Sequence, residues 1–140
     1  MLNLDPDSEF AARVQRHLER DDVAWLVTVD ADGTPQPSPV WFLWDGESAL
    51  VYSKPQTMKL RNLARSPRSS LHFNGDVNGG DIVVLTGAAE VDAAAPAADR
   101  VPAYVAKYRA GLRGIAMTPE AFAAEYSVAL WFRPEKVRGH

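Results

Sequence analysis

Short apolar and β-branched runs, separated by turn residues, dominate the pattern of the chain. Residues 23–30 (VAWLVTVD) lead into a turn that contains Gly33, and residues 35–44 lead into Asp45-Gly46. A third run covers residues 48–53. Glycine accepts the positive φ that tight hairpin turns require. The pattern therefore predicts three consecutive antiparallel strands.

Three later runs extend this sheet, over residues 68–74, 81–92 and 127–133. Gly87 lies inside one of them, which predicts a bulge or a sharp bend. The run that begins at Pro35 carries three alternating prolines, which cannot donate ladder hydrogen bonds, so it is predicted to begin irregularly or to lie at a sheet edge. About six strands with peripheral helices predict a mainly β fold, a closed antiparallel barrel formed by residues 1–140 as one domain.

Four segments have helical spacing or helix-end signals. Ser8 and Thr57 are candidate N-caps of the first two helices, and Pro67 stops the second. The predicted helices cover residues 8–21, 57–66, 99–109 and 119–126.

The composition excludes several kinds of site. The 140 residues include no cysteine, so disulfides, thiolate nucleophiles and cysteine metal sites are ruled out. The three histidines are widely separated and have no metal-ligand spacing, so no metal is expected.

The sequence also bears on the localisation of the protein and on whether it binds a membrane or a nucleic acid. The first ten residues are polar and acidic, and no apolar run approaches the ~20 residues of a membrane helix. These features predict a cytoplasmic protein that does not enter a membrane. A sequence pI near 5.6 argues against a nucleic-acid partner, because such proteins usually present a broadly basic face.

One stretch of this acidic chain contains no acid at all. The whole chain has 15 Lys and Arg against 18 Asp and Glu, yet residues 48–75 contain no Asp or Glu. The bases in this stretch are Lys54, Lys59, Arg61, Arg65 and Arg68. Local positive charge in an anionic protein indicates an anion-binding site. The alternative is a solvated helix whose long basic side chains cover apolar surface.

The start of the second helix makes phosphate the expected anion. A helix N-terminus has unpaired amides and the positive end of the helix dipole. Lys54 precedes the helix and Lys59 lies in its first turn. The spacing K-x-x-T-x-K-x-x-N therefore predicts that ammonium groups, hydroxyls and amides converge on one phosphate.

Residues 37–44 (PSPVWFLW) are the second candidate. A stiff, flat, apolar strand suits a planar ring. The alternative is that Trp41, Phe42 and Trp44 belong to the core or to a dimer interface.

No side chain is an obvious general acid, base or nucleophile, so the catalytic residues are unknown and a bound cofactor is expected to supply the chemistry.

The run SPVWFLWDGESALVYSKPQTMKLRNLARSPRSSLHF, followed by GGDIVVLTGAAEVD, resembles the pyridoxamine-phosphate-oxidase-like split β-barrel superfamily. More closely, it resembles the actinobacterial deazaflavin-dependent oxidoreductases that use coenzyme F420. The resemblance implies a six-stranded antiparallel split β-barrel and a homodimer with cofactor sites at the subunit interface. It also implies hydride transfer between the deazaflavin and a small organic acceptor.

The resemblance implies roles for individual residues by position. The cofactor phosphate would be held by Lys54, Thr57, Lys59 and Asn62, with Met58 covering the chain between phosphate and ring. The ring would be lined by Pro37, Ser38, Val40 and Trp41, and Ser53 belongs to the same site. The anionic glutamyl tail of the cofactor would be steered by Arg61, Arg65 and Arg68.

Other functions remain open at this point. FMN has the same kind of ring, ribityl chain and phosphate, so the phosphate site does not separate it from F420, although the extra arginines favour the long anionic tail. A non-enzymatic F420 carrier is the second alternative, because no acid or base residue is evident. A weaker alternative is a barrel that stacks nucleic-acid bases on its tryptophans. Pyridoxamine phosphate is not the expected substrate, because the basic C-terminal signature of the true oxidases is missing.

Overall fold

The computed structural model describes residues 2 and 4–140, which form one curled antiparallel sheet with helices packed against it. The strands are β1 (Val23–Val29), β2 (Pro35–Trp41), β3 (Leu43–Trp44), β4 (Ala49–Ser53), β5 (Arg68–His72), β6 (Val83–Val91) and β7 (Val128–Gly139). The helices are α1 (Glu9–Arg20), α2 (Met58–Arg65), α3 (Pro102–Lys107), α4 (Arg109–Gly114) and α5 (Pro119–Glu125), with a 3-10 turn over Ala98–Arg100.

The strand order explains why the sheet is curled. The order is β2-β1-β5-β6-β7-β4-β3, so the two end strands of the sheet are β2 and β3. Only Phe42 separates these two strands along the chain. The sheet must therefore bend round until its ends meet, which gives a barrel that is split at Phe42. The predicted mainly β, antiparallel split-barrel class is confirmed.

The predicted number of strands was wrong by one. Residues 35–44 were predicted as a single strand, but the structure breaks the run at Phe42 and pairs its two parts with different neighbours. The Phe42 N–H donates to the Tyr108 hydroxyl oxygen at 2.7 Å, and the Phe42 carbonyl accepts from Lys107 Nζ at 2.7 Å. Side chains from the end of α3 thus satisfy backbone groups that a continuous ladder would otherwise have paired.

Two apolar cores lie on opposite sides of the sheet. The inner core fills the barrel and includes Leu26, Leu71 and Leu85, together with Val14 of α1 and Leu63 of α2. The outer core lies between α3–α5 and the outer face of β4 and β7. Because β4 is covered on both faces, all five of its residues are buried.

The outer face of β1, β5 and β6 belongs to neither core. Trp25, His72 and Val84 are adjacent on this face by strand register, and each is partly exposed. Trp25 and His72 stack with ring centroids 6.5 Å apart. No helix residue of the two core clusters, as far as the structure describes them, packs on this face.

Most local predictions from the sequence are confirmed. Ser8 caps α1, β2 is an edge strand, and the ladder between β6 and β7 has an irregularity at Thr86/Gly87. The predicted helix over residues 99–109 is instead a 3-10 turn followed by α3, because Pro102 starts a new helix at its N-terminal position. The short helix α4 was not predicted.

Candidate functional site

A cleft of about 450 Å³ lies at the split of the barrel. In the described ranges β2 pairs with β1, and β4 pairs with β3 and β7, so no ladder joins β2 to β4. Side chains from both strands, from the start of α2 and from the α4–α5 region surround the gap. The lining residues are Pro39, Val40, Trp41, Tyr52, Ser53, Lys54, Thr57, Lys59, Ile115, Phe122 and Tyr126.

Lys59 is the main electrostatic feature of the cleft. Its side chain is partly buried, and this burial lowers the pKa of the ammonium group. Within the described part of the chain, it has no ion-pair partner. A positive charge that is partly removed from water without a partner is stabilised by an arriving anion.

Lys54, the second cation of the cleft, already has a partner. Its Nζ lies 3.0 Å from Glu125 Oε1 at the end of α5 and 5.4 Å from the centroid of the Tyr126 ring. The hydrogen bond to Glu125, and then the charge of that carboxylate, raise the pKa of Lys54. Sequence reasoning predicted the helix but missed the role of Glu125 and Tyr126. The sequence showed Glu125 only as an acid near the end of a predicted helix, and this position does not indicate that Lys54 is its partner.

The start of α2 presents backbone donors without a side-chain cap. Thr57 occupies the N-cap position, but its hydroxyl makes no capping hydrogen bond. The hydroxyl instead lies 3.1 Å from Ser53 Oγ, which is within hydrogen-bond distance of the Lys54 carbonyl at 2.8 Å. The first-turn amides of α2 are consequently available to a ligand anion.

Trp41 is shared between the cleft and the outer core. Its ring stacks on Tyr108 at 4.5 Å between centroids and on Phe122 at 5.4 Å. The other two aromatics of the predicted apolar strand lie inside: Phe42 is fully buried, and Trp44 packs on the inner core. The apolar wall of the cleft therefore includes Trp41 and residues of α5 that the sequence pattern did not indicate.

Four predicted site residues do not line the cleft: Pro37, Ser38, Met58 and Asn62. Asn62 is 2% exposed, and its amide donates to Thr28 Oγ1 at 3.0 Å and accepts from Arg65 at 2.7 Å. This placement uses the amide in internal packing and does not support the expected contact with a phosphate. Pro37 and Met58 are exposed, and the Ser38 hydroxyl is buried without a hydrogen-bond partner among the described residues.

The three arginines of the acid-free stretch contact the chain itself. Arg61 donates to the Gln56 carbonyl at 2.6 Å, and Arg68 pairs with Glu135 at 2.7 Å. Arg65 donates to Asn62. All three residues are exposed, so they lie on the surface outside the cleft lining.

The cleft combines an apolar aromatic wall with two cations and several hydroxyls, which suits a planar ring that carries an anionic group. Across residues 2 and 4–140, no group of three or more His, Asp or Glu side chains could hold a metal ion. Every helix in these ranges falls short of the length and apolarity that a bilayer-spanning helix requires.

Comparison with known proteins places this geometry in a family. A conserved hypothetical protein from Mycobacterium tuberculosis is 23% identical, with a TM-score of 0.68 over 94% of this chain and 82% of that chain. A structure described as an F420 reductase is 25% identical, with a TM-score of 0.63 over 89% of this chain and 94% of that one. The heme storage protein HutZ from Vibrio cholerae is 17% identical, with a TM-score of 0.61 over 97% of this chain and 95% of that one.

The first and third of these likenesses establish the fold alone. No curated protein sequence matches the chain. A family model described as pyridoxamine 5'-phosphate oxidase matches residues 10–140. Since that match covers nearly the whole chain, the protein belongs to the pyridoxamine 5'-phosphate oxidase family.

Proposed function

We propose that this protein is an oxidoreductase that binds coenzyme F420 in the cleft at the barrel split and uses it to reduce a small unsaturated organic acceptor. The observation that carries the proposal is Lys59, which is partly buried beside an aromatic wall and has no ion-pair partner among the residues that the structure describes. The likeness to an F420 reductase supports the choice of cofactor. When bound, F420 supplies the hydride.

The residues of the chain have binding and positioning roles in this proposal. Lys59 and the free amides of α2 hold the phosphate, with the Ser53 and Thr57 hydroxyls beside it. Val40 and Trp41 contact the ring and exclude water from one side of it. No side chain here is assigned as a proton donor, so the proton is taken from solvent.

We also propose that the functional unit is a homodimer with the cofactor sites at the interface. The uncovered outer face of β1, β5 and β6 supports this, because partly exposed apolar side chains favour a protein partner. Pro39 lines the cleft and is also the register partner of Trp25 on that face. A second copy on the face would therefore lie beside the cleft.

Titration of the apoprotein with F420, followed by fluorescence, tests the binding step. Replacement of Lys59 by alanine is expected to weaken binding by about 1.5–3 kcal/mol, the scale of a hydrogen bond to a charged group. Arg20→Ala, which removes an exposed cation outside the cleft, is the control and should bind as the wild type does. An unchanged dissociation constant for Lys59→Ala would show that Lys59 does not contact the phosphate.

The same experiment with FMN tests the alternative cofactor. Micromolar binding of FMN without binding of F420 would reverse the assignment.

The carrier alternative requires a kinetic test, because a carrier and an enzyme bind the cofactor alike. Stopped-flow oxidation of the bound, reduced cofactor by quinones and enones should show turnover for an enzyme, and no turnover with any acceptor favours the carrier.

A further inference from the structure

We propose that Glu125 tunes the charge selectivity of the cleft, because its carboxylate penalises a doubly charged phosphomonoester more than a singly charged phosphodiester. The inference deepens the proposed function and rests on it, since F420 contains a phosphodiester and FMN a phosphomonoester. It assigns a specificity role to a residue outside the basic stretch that forms the phosphate site.

The geometry places a carboxylate beside one of the two cations of the cleft. Lys54 and Lys59 are the charged residues among those that line the cleft. The Lys54 ammonium lies 3.0 Å from the Glu125 carboxylate, whereas no carboxylate of the described residues pairs with Lys59. The two lysines and Glu125 together therefore carry a single net positive charge.

Glu125 belongs to a helix that contributes to the cleft lining. It is the last residue of α5, and the next residue, Tyr126, lines the cleft. Tyr126 stacks on Phe122 at 4.3 Å between ring centroids, and the Tyr126 N–H donates to the Phe122 carbonyl at 2.7 Å. The backbone that carries Glu125 is therefore anchored beside an apolar wall of the cleft.

The charge of the phosphate group decides how well a ligand balances the net charge of this site. A phosphodiester has one negative charge, which balances the net charge of the site. A phosphomonoester carries about 1.5 to 2 negative charges near neutral pH, because its second pKa is about 6. The excess negative charge would lie near Glu125 without a cation to balance it, and like charges in one site repel each other.

The expected effect is limited by solvent. The Lys54 and Glu125 side chains are 49% and 47% exposed, so water and salt screen the interaction. Removal of the Glu125 charge is expected to tighten binding of a phosphomonoester on the order of tenfold and of a phosphodiester about threefold, as expected for twice the charge in the same potential.

The test compares FMN with its methyl phosphodiester, which has the same ring and ribityl chain. Dissociation constants are measured for wild type, Glu125→Gln and Glu120→Gln, with F420 titrated in parallel. Glu120 is an exposed acid at the start of the same helix and is the matched control. The monoester-to-diester ratio of dissociation constants should fall about threefold in Glu125→Gln only.

A second readout separates charge from a structural effect. Lowering the pH to about one unit below the second phosphate pKa makes FMN a monoanion. Both esters then carry one negative charge, so the difference in the ratio between wild type and Glu125→Gln should largely disappear, whereas a merely structural role would leave that difference unchanged. A ratio unchanged by Glu125→Gln, or no binding of either flavin ester to any variant, overturns the inference. Binding of F420 would still leave the proposed function standing, and its absence would remove both.

Discussion

At the scale of single residues, Tyr108 and Lys107 satisfy the backbone groups of Phe42, where the chain passes from β2 to β3. Both reach Phe42 across 65 or more residues of sequence. The Lys107 ammonium also lies 3.8 Å from the centroid of the Phe42 ring. Burial lowers the pKa of Lys107 to about 8, against the opposing effect of the carboxylates of Asp22 and Asp21. The cost of burying this cation is offset by the carbonyl and the ring that receive it.

Loss of the Tyr108 hydroxyl should destabilise the fold. Tyr108→Phe leaves the buried Phe42 N–H without its acceptor, so the free energy of unfolding is expected to fall by about 1–3 kcal/mol. Urea denaturation measures this change. Tyr126→Phe removes a hydroxyl from the cleft and serves as the control. Equal stability of Tyr108→Phe and wild type would show that the break at Phe42 does not depend on the hydroxyl.

Residue roles were only partly predictable. The basic stretch indicated Lys59, because charge is a property of the side chain itself. The orientation of Asn62 was not predictable, because it depends on Thr28, which lies 34 positions earlier and reaches the amide only once α2 packs on β1. The contact between Glu125 and Lys54 was not predictable for the same reason, because the two residues are far apart in the sequence.

At the scale of elements, a close approach of two strands explains a glycine. A Cβ at Gly87 would overlap the carbonyl oxygen of Arg133 on β7. The ladder is irregular at this point, as β6 and β7 shift register between Thr86 and Gly87. Only glycine lets the two backbones come this close.

Substitution of this glycine should therefore be costly. Gly87→Ala is expected to lower the free energy of unfolding by about 1–3 kcal/mol or more, because the backbones of β6 and β7 must separate. Gly114→Ala is a matched control, since a Cβ there would meet nothing within 4 Å. Thermal and urea denaturation of both variants measure the difference. A Gly87→Ala variant as stable as Gly114→Ala would contradict the packing argument.

Strands were easier to predict than the helices that follow them. Alternating burial along β1 reflects the period of two that the apolar pattern already contains. The helix α4 has two glycines in six residues, which lowers its intrinsic helix propensity. It forms because Leu112 is buried in the outer core and Gly111 lies against the Trp41 ring. Those contacts come from the tertiary structure, so a local pattern cannot reveal them.

At the scale of the whole molecule, α3–α5 cover the outer face of β4 and β7, whereas no helix residue of the two cores, among residues 2 and 4–140, packs on the outer face of β1, β5 and β6. The uncovered side presents a row of side chains from β2, β1, β5 and β6: Pro39, Trp25, His72 and Val84. Burial lowers the pKa of His72, followed by the effect of the nearby charge of Arg138. A neutral ring at neutral pH suits an interface, because an uncharged imidazole loses less hydration when it is covered.

A charge on this face should weaken the proposed dimer. Val27 is adjacent to Pro37 and Ser70 on the same face by strand register. Val27→Glu is expected to shift the protein toward monomer in analytical ultracentrifugation, because a charge buried in an interface has no partner there. Val77→Glu adds the same charge at a site that is 99% exposed and should remain dimeric. A monomeric wild type, or a Val27→Glu variant that dimerises like the control, would contradict the proposal.

The sequence by itself determined most of the strands, although not the break at Phe42, together with the hairpin turns, the edge position of β2, the irregularity at Gly87 and the basic start of α2. Each of these depends on neighbours along the chain, which periodicity, proline, glycine and charge make visible. The tertiary structure decided where the barrel opens, that Glu125 pairs with Lys54 and that Asn62 turns inward. These features depend on contacts between residues that are far apart in sequence, and such contacts exist only after the sheet has curled and the C-terminal helices have packed on it.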